Sequence, residues 1–293
     1  MAYSVGNYTL ARKISDPQFS VDHIDQYDLL LLAGQYDFQF AVVDALQQRC
    51  LLVEDYTFSN AGTDVGETYR TLIEEHQLLM AGYWNRVKLA IKSQHFTLVP
   101  STYFSAENAA HYLTLVTNTP SNKYSINHYR FKELDAVMVF GAEKQLVERL
   151  RSTYPSQDVG IISQGSAFIE GVRQVDAGSY YRNMYLFIDQ QHVSVVVLED
   201  QKLVLYNRFV YQTPNDIVKY VLTVFQKLEM DQNETKVTVW GNFTEQSEQY
   251  AALYQYIREL NYGTKPDFLK FSHMFDEAPD HQYFDLYSMY LSE

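Results

Sequence analysis

The sequence predicts an α/β protein built from two similar halves. Short apolar runs bounded by turn residues indicate buried strands, and they alternate with segments whose apolar residues recur at helical spacing. The order strand, strand, strand, helix, strand, helix occurs twice along the chain. Residues 29–44 also align with residues 184–199 without a gap, which pairs Leu31 with Leu186 and Gln35 with Gln190. Because strand and turn lengths nearly agree, an internal duplication explains the pattern better than two unrelated meanders do.

The first half, predicted to cover residues 1–180, contains most of the expected elements. Apolar runs predict strands at 29–33, 38–43, 50–58, 87–91, 96–99, 124–129, 136–140 and 159–162. The predicted helices are one with a face formed by Tyr69, Leu72, Ile73, His76 and Leu79, one from an N-cap at Ser105 to about residue 116, one opening at Gly141, and one at 167–172. Residues near 100–135 are interpreted as an insertion in this half.

The second half, predicted to cover residues 181–293, repeats the succession in a shorter form. Strands are expected at 184–188, 193–198, 202–211, 237–240 and 268–271. Thr213 and Pro214 form a typical helix start, with a capping hydroxyl followed by proline in the first turn. Further helices are predicted around 250–260 and at 283–291.

The order of elements resembles that of the superfamily of actin, sugar kinases and heat-shock chaperones. Within it, the segment Phe96-Thr97-Leu98-Val99-Pro100, the following Tyr103-Phe104 and the run 29–34 resemble a family of uncharacterised bacterial proteins with an actin-like ATPase fold. The resemblance covers about residues 29–271. It implies an α/β fold class of duplicated actin-like, ribonuclease H-like domains, each a mixed sheet with helices.

The resemblance also implies where a nucleotide would bind. In active members ATP and magnesium lie between the halves, and the first hairpin of each half carries a pattern close to Asp-x-Gly-Ser/Thr. Here Gly34 stands at the acid position and Tyr36 at the glycine position of the first hairpin. In the second hairpin Asp189 keeps the acid and Gln191 replaces the glycine. Side chains at these two glycine positions would crowd a phosphate that requires bare backbone.

The adenosine loop of the superfamily, a strand ending in Gly-Gly, is half preserved as Gly241-Asn242, and Val137-x-Val139-Phe140-Gly141 echoes it. For Asp189 the alternative is a turn-forming residue of a hairpin, and for Gly241 it is a strand-to-helix turn. The resemblance therefore gives no catalytic residue and no metal ligand, and it gives four candidate cofactor-binding residues in a cleft between the halves: Gly34, Asp189, Gly241 and Asn242.

Composition excludes several other classes of function. The formal charge of −13, with no cluster of Lys or Arg, argues against nucleic acid and against an anionic membrane as partners. The single cysteine, Cys50, lies in an apolar run and is interpreted as an inert core residue. The chain has no signal-peptide pattern and no apolar stretch long enough for a bilayer, so a reducing, cytoplasmic location is expected.

The motifs of other enzyme classes are missing from the sequence. It contains no Gly-x-x-x-x-Gly-Lys, no Gly-x-Gly-x-x-Gly and no Gly-x-Ser-x-Gly pattern. Its eight histidines are scattered. Residues 273–281 mix histidines with carboxylates, and we interpret this segment as a solvated acidic loop in preference to a metal site.

Two hypotheses for function follow. The favoured one is a non-catalytic actin-like scaffold with a degenerate nucleotide site, which binds a protein partner or forms a homo-oligomer through tyrosine-rich surfaces at Tyr180-Tyr181 and 283–290. The alternative is a protein that binds ATP and magnesium with weak or no ATPase activity. In that case Asp189 would orient the magnesium ion and Gly241-Asn242 would receive the adenosine.

Overall fold

The computed structural model describes residues 7–59, 65–120, 122–244 and 246–292. The strands are β1 (Tyr8–Ser15), β2 (Tyr27–Ala33), β3 (Asp37–Asp44), β4 (Arg49–Phe58), β5 (Arg86–Ile91), β6 (Phe96–Val99), β7 (Tyr124–Arg130), β8 (Val137–Glu143), β9 (Gly160–Ser163), β10 (Asn183–Ile188), β11 (His192–Glu199), β12 (Lys202–Val210), β13 (Val237–Gly241) and β14 (Leu260–Tyr262). The α-helices are α1 (Val65–Glu75), α2 (Ala109–Thr114), α3 (Lys144–Thr153), α4 (Gln164–Val175), α5 (Pro214–Lys227), α6 (Glu248–Tyr254) and α7 (Phe284–Ser288).

The chain divides into two compact units. Unit 1 comprises Met1–Ala167, Phe268–Glu277 and Met289–Glu293, and unit 2 comprises Phe168–Asp267 and Ala278–Ser288. The sequence predicts that the two duplicated halves meet between residues 180 and 181. This boundary stays a prediction, because it concerns the duplication and not the compact units. No helix in the described ranges is both long enough and apolar enough to cross a membrane.

The main sheet of unit 1 has the strand order β1-β4-β3-β2-β5-β9. Strands β2, β3 and β4 pair antiparallel, whereas β5 and β9 continue the sheet in parallel with β2. Strands β2 and β3 are buried along their whole length, as expected for continuous apolar runs covered on both faces. Helix α1 turns Tyr69, Leu72 and Ile73 inward, which agrees with the predicted apolar face.

The segment between β5 and α3 forms a separate sheet in unit 1. Its order is β6-β8-β7, with antiparallel pairing throughout. Helix α2 packs on this sheet, and the small core contains Val99, Ala109, Leu113, Val137 and Val139. Unit 2 has no equivalent of this sheet among its described residues, because α5 leads directly into β13 and then α6.

The sheet of unit 2 has the order β12-β11-β10-β13-β14, with three antiparallel strands followed by two parallel ones. This is the order and direction of β4-β3-β2-β5-β9 in unit 1. Helix α5 begins with the predicted cap: Thr213 and Asp216 form a capping box, and Pro214 is the first helical residue. The predicted α/β class with two sheet-containing units is confirmed, whereas descent of the units from a duplication stays a prediction.

Two predicted elements were wrong, and two observed strands were not predicted. Gly141 lies within β8 and does not open a helix, because the chain stays paired with β7 up to Glu143 before α3 begins. Residues 268–271 contain only an isolated bridge from Lys270 to Arg49. Strands β1 and β14 were not predicted; β1 carries polar residues on a partly exposed edge, and β14 has only three residues.

A buried lysine holds residues 289–292 against unit 1. The ammonium group of Lys88, on β5, donates hydrogen bonds to the carbonyl oxygens of Met289 (3.1 Å), Tyr290 (3.2 Å) and Ser292. Burial, together with the charge of Arg86, lowers the pKa of Lys88 to about 8. A residue of the central sheet therefore fixes a segment that lies two hundred residues later in the chain.

Candidate functional site

The first hairpin turn, Gly34–Asp37, connects β2 to β3 in unit 1. The Gly34 amide donates to the Asp37 carbonyl at 3.0 Å, which closes the turn. The Asp37 side chain folds back over Gly34, so that a Cβ atom at residue 34 would lie 2.1 Å from Asp37 Oδ1. Position 34 has no carboxylate of its own, and the Asp37 carboxylate, from the other end of the turn, lies against Gly34.

Lys92 brings a positive charge to this turn. It follows β5 directly, its amide donates to the Ala33 carbonyl at 2.8 Å, and its ammonium group forms a buried ion pair with Asp37. No lysine belongs to the turn itself, which is Gly34-Gln35-Tyr36-Asp37. Lys92 could have been found from the parallel pairing of β2 with β5, which places Ile91 beside Ala33.

The second hairpin turn, Asp189–His192, connects β10 to β11 in unit 2. The Asp189 amide donates to the His192 carbonyl at 2.8 Å. One carboxylate oxygen of Asp189 accepts a hydrogen bond from the Gln190 amide at 2.8 Å, and the other lies 3.6 Å from the guanidinium group of Arg208. Because the Arg208 side chain, on β12, is only 3% exposed, this ion pair is largely removed from solvent.

The Gly241-Asn242 loop follows β13, next to the second turn. Gly241 has φ +127°, and a Cβ atom there would lie 1.9 Å from the Ile188 carbonyl oxygen, so glycine is required. The Gly241 amide donates to the His281 carbonyl and the Asn242 amide to the Ile188 carbonyl, both at 2.9 Å. Both amides of this loop are thus bonded to carbonyls of the chain.

Residues of the 278–288 segment cover the Gly241-Asn242 loop. The His281 ring stacks on Phe243 with 4.4 Å between centroids, and its Nε2 hydrogen-bonds to the Phe243 carbonyl at 2.8 Å. The Gln282 side chain donates to Asn242 Oδ1 at 3.1 Å. The 273–281 segment is solvated at its carboxylates, as expected for Asp276, Glu277 and Asp280, whereas Phe275 and His281 are buried.

Corresponding hydrogen bonds surround the two turns. The hydrogen bonds that close the two turns match each other. The hydrogen bond from the Lys92 amide to the Ala33 carbonyl likewise matches the one from the Asn242 amide to the Ile188 carbonyl. The Phe58 amide donates to the Tyr36 carbonyl at 2.8 Å, as the Tyr211 amide donates to the Gln191 carbonyl at 3.0 Å. The acceptor pairs Ala33 with Ile188 and Tyr36 with Gln191 are those that the alignment of residues 29–44 with 184–199 predicts, so the match extends from the strand pattern to individual backbone bonds.

Parallel pairing of β10 with β13 brings Asp189, Gly241 and Asn242 together in unit 2. Gly34 lies at the corresponding turn of unit 1. A shared cleft formed by all four residues remains a prediction. Gly141, whose pattern echoes the adenosine loop in sequence, is an interior residue of β8.

The tyrosine-rich segments differ in exposure. Tyr180 and Tyr181 are 80% and 81% exposed, as predicted for a contact surface. Tyr283 and Tyr287 are buried, so the 283–290 segment was wrongly predicted to be one. Cys50 is buried, and within the described ranges no group of three metal-binding side chains converges.

Residues 16–260 match the model of a protein family described as "Protein of unknown function (DUF3822)". The chain belongs to this family. The matched range contains both hairpin turns and the Gly241-Asn242 loop. A search of curated proteins gave no significant match.

Solved structures identify the fold. A Bacteroides thetaiotaomicron protein with an actin-like ATPase fold and unknown function is 17% identical, with a TM-score of 0.80, over 94% of this chain and 100% of that one. A structure of the PilM–PilN type IV pilus biogenesis complex matches with 10% identity and a TM-score of 0.54, over 90% of this chain and 97% of that one. The actin-like ATPase fold implied by the resemblance is therefore confirmed for this chain.

Proposed function

We propose that this protein works by binding another protein through a non-catalytic actin-like fold. The observation that carries the proposal is that the carboxylate at each turn is paired with a buried cation of the chain. Asp37 is paired with Lys92, and Asp189 with Arg208. A carboxylate that must hold a magnesium ion and its waters would first have to leave this partner, and separating a buried ion pair is costly.

The surrounding backbone argues in the same direction. Tyr36 and Gln191 replace the glycines that give a phosphate access to bare backbone. The amides of Gly241 and Asn242 already have partners within the chain. These residues do not fit bound magnesium and ATP, and a fold with such a site can persist as a binding protein.

A surface suited to a protein partner lies at the opposite end of β10 from the second turn. A groove of about 750 Å³ there is lined by residues including Asp176, Tyr181, Arg182, Glu199, Glu234 and Lys236. Exposed tyrosines offer apolar area together with a hydroxyl, a combination enriched at interfaces. The carboxylates of the groove outnumber its cations, so the expected partner is a basic segment of another protein. The structural neighbour PilM is itself a member of a protein complex.

Titration with magnesium and ATP tests the non-catalytic part of the proposal. A ligand at 100 times its dissociation constant stabilises a protein by roughly 2.7 kcal/mol, so binding would appear as a higher melting temperature. We expect no shift at millimolar Mg-ATP beyond that caused by the magnesium salt alone. A rise in melting temperature that Asp189→Asn abolishes would instead support the alternative, a protein that binds ATP and magnesium. The strict need for glycine at residue 241 favours that alternative.

Capture of a partner tests the binding part. We expect one reproducible partner with a basic segment to co-purify with the wild-type chain and to be lost with Tyr181→Ala. The matched control is Tyr83→Ala, because Tyr83 is also 81% exposed but lies in unit 1. Retention of the partner by Tyr181→Ala, or equal loss with both variants, would contradict the proposed surface.

A further inference from the structure

Strand β12 forms an open edge of the unit 2 sheet. It pairs with β11 on one side, and on its other side the described residues provide no strand. Val204 and Val210 are 38% and 46% exposed along it. The Arg208 amide donates to the exposed side chain of Asn207 at 2.8 Å, so a local side chain stands in for the carbonyl of a neighbouring strand.

Unit 1 shows how the corresponding edge is completed. Strand β4 holds the place in unit 1 that β12 holds in unit 2, and β1 pairs antiparallel with it from Tyr8 opposite Phe58 to Ser15 opposite Leu52. The chain therefore covers one of the two equivalent edges with a strand of its own. The same geometry at β12 is compatible with an added antiparallel strand.

The usual protection of an edge strand is weak in β12. Proteins block such edges with proline, exposed charges, strong bulges or short strands. The nine residues Lys202–Val210 contain no proline, and the Arg208 charge is buried against Asp189. A bulge near Val204 affects only the beginning of the strand, and Lys202 at its first position is its remaining charged residue.

We infer that β12 pairs antiparallel with β12 of a second copy of this chain, joining two five-stranded sheets across a two-fold axis. An antiparallel edge is complementary to itself, since its donors and acceptors alternate and a two-fold rotation brings each opposite its counterpart. In a register centred on Tyr206, each Lys202 lies opposite the Val210 of the other copy, so the two lysine charges are at opposite ends of the pair. The inference concerns self-association and does not depend on the partner proposed above.

Net charge sets the conditions under which the dimer forms. Each copy carries a formal charge of −13, so two copies repel one another at low salt. Salt screens this repulsion, whereas strand hydrogen bonds and buried valines are little affected. We expect the dimer to become tighter when salt is raised, which is the opposite of an interface held by ion pairs.

Sedimentation velocity of the full chain tests the inference. Over about 1 to 100 µM protein, at low and high salt, we expect a monomer–dimer equilibrium that shifts with concentration. Val210→Lys should weaken dimerisation at least about tenfold by placing a charge at the edge. Leu46→Lys, at a residue that is 85% exposed in unit 1, is the matched control and should leave it unchanged.

A second measurement covers the case in which Val210→Lys disturbs folding. In the wild-type chain, amide hydrogen exchange of residues 202–210 should slow as protein concentration rises, while β4, already covered by β1, should not change. A monomer at all concentrations and both salt conditions would overturn the inference. So would a dimer with unchanged exchange in β12, or equal dissociation constants for the wild type and Val210→Lys.

Discussion

Tyr69 and Tyr211 donate hydrogen bonds to corresponding backbone carbonyls, with Tyr69 Oη 2.6 Å from Gly34 O and Tyr211 Oη 2.8 Å from Asp189 O. The two tyrosines come from different places, since Tyr69 is in α1 and Tyr211 follows β12. Burial raises the pKa of both phenols, so both hydroxyls remain donors near neutral pH. In each unit the first carbonyl of the hairpin turn thus accepts a hydrogen bond from a tyrosine hydroxyl, although Tyr69 and Tyr211 do not align in the sequence.

Removing either hydroxyl should destabilise the protein. Tyr69→Phe and Tyr211→Phe each leave a buried carbonyl without its donor, which costs about 1 to 3 kcal/mol. Urea denaturation monitored by circular dichroism measures the loss. Tyr180→Phe is the control, because that side chain is exposed and its variant should unfold like the wild type. Unchanged midpoints for the two buried variants would show that the carbonyls have other donors.

Gly241→Ala should be among the most damaging single changes in unit 2. The new methyl group would meet the Ile188 carbonyl, which is backbone and cannot rotate away, and φ +127° is unfavourable for any residue with a side chain. We expect a loss of at least about 3 kcal/mol in the free energy of unfolding, or no folded protein. Gly82→Ala is the control, since nothing lies within 4 Å of its added methyl group. Equal stability of the two variants would contradict the required glycine.

The fold was largely predictable because its central strands are continuous apolar runs. β2, β3, β10 and β13 are buried on both faces, so composition alone marks them. β1 was missed because an edge strand with polar residues has no such signature. Gly141 was misassigned because glycine in a strand resembles glycine at a turn until the pairing partner is known.

The candidate site was less predictable than the fold. Asp189 and Gly241 were found because they stand at fixed positions in turns. The cations that pair with the turn carboxylates are Lys92, directly after β5, and Arg208, on β12. Their positions depend on sheet register and side-chain direction. These are properties of the assembled sheet, which spacing along one hairpin does not reveal.

Stability should depend on the ionisation of Lys88. Its folded pKa of about 8 lies below the ordinary lysine value, so between about pH 8 and 10.5 the unfolded chain binds more protons. The contribution of this group to the free energy of unfolding therefore rises with pH in that window. Urea denaturation should show the stability of the wild type relative to Lys88→Met increasing from pH 8 to 10. For the exposed Lys202→Met control, the difference in stability from the wild type should not change with pH. A difference that is also independent of pH for Lys88→Met would refute the prediction.

Glu54 should make the protein sensitive to acid. Burial opposes ionisation of its carboxyl group, but hydrogen bonds from His76, Lys13 and Tyr56 outweigh that effect and lower the pKa to about 2. Its stabilisation is thus complete above about pH 4.5 and is lost as pH falls towards 2. The stability advantage of the wild type over Glu54→Gln should shrink between pH 6 and 3 in urea denaturation. Glu107→Gln, at an exposed residue, should show no such trend.

The hydrogen bonds of Lys88 have a consequence for synthesis of the chain. Lys88 is translated 201 to 204 residues before its carbonyl partners at Met289, Tyr290 and Ser292. Until those residues are translated, this ammonium group lacks its native acceptors. Unit 1 therefore acquires these contacts only after the residues of unit 2 have been translated, although most of its own sequence comes first.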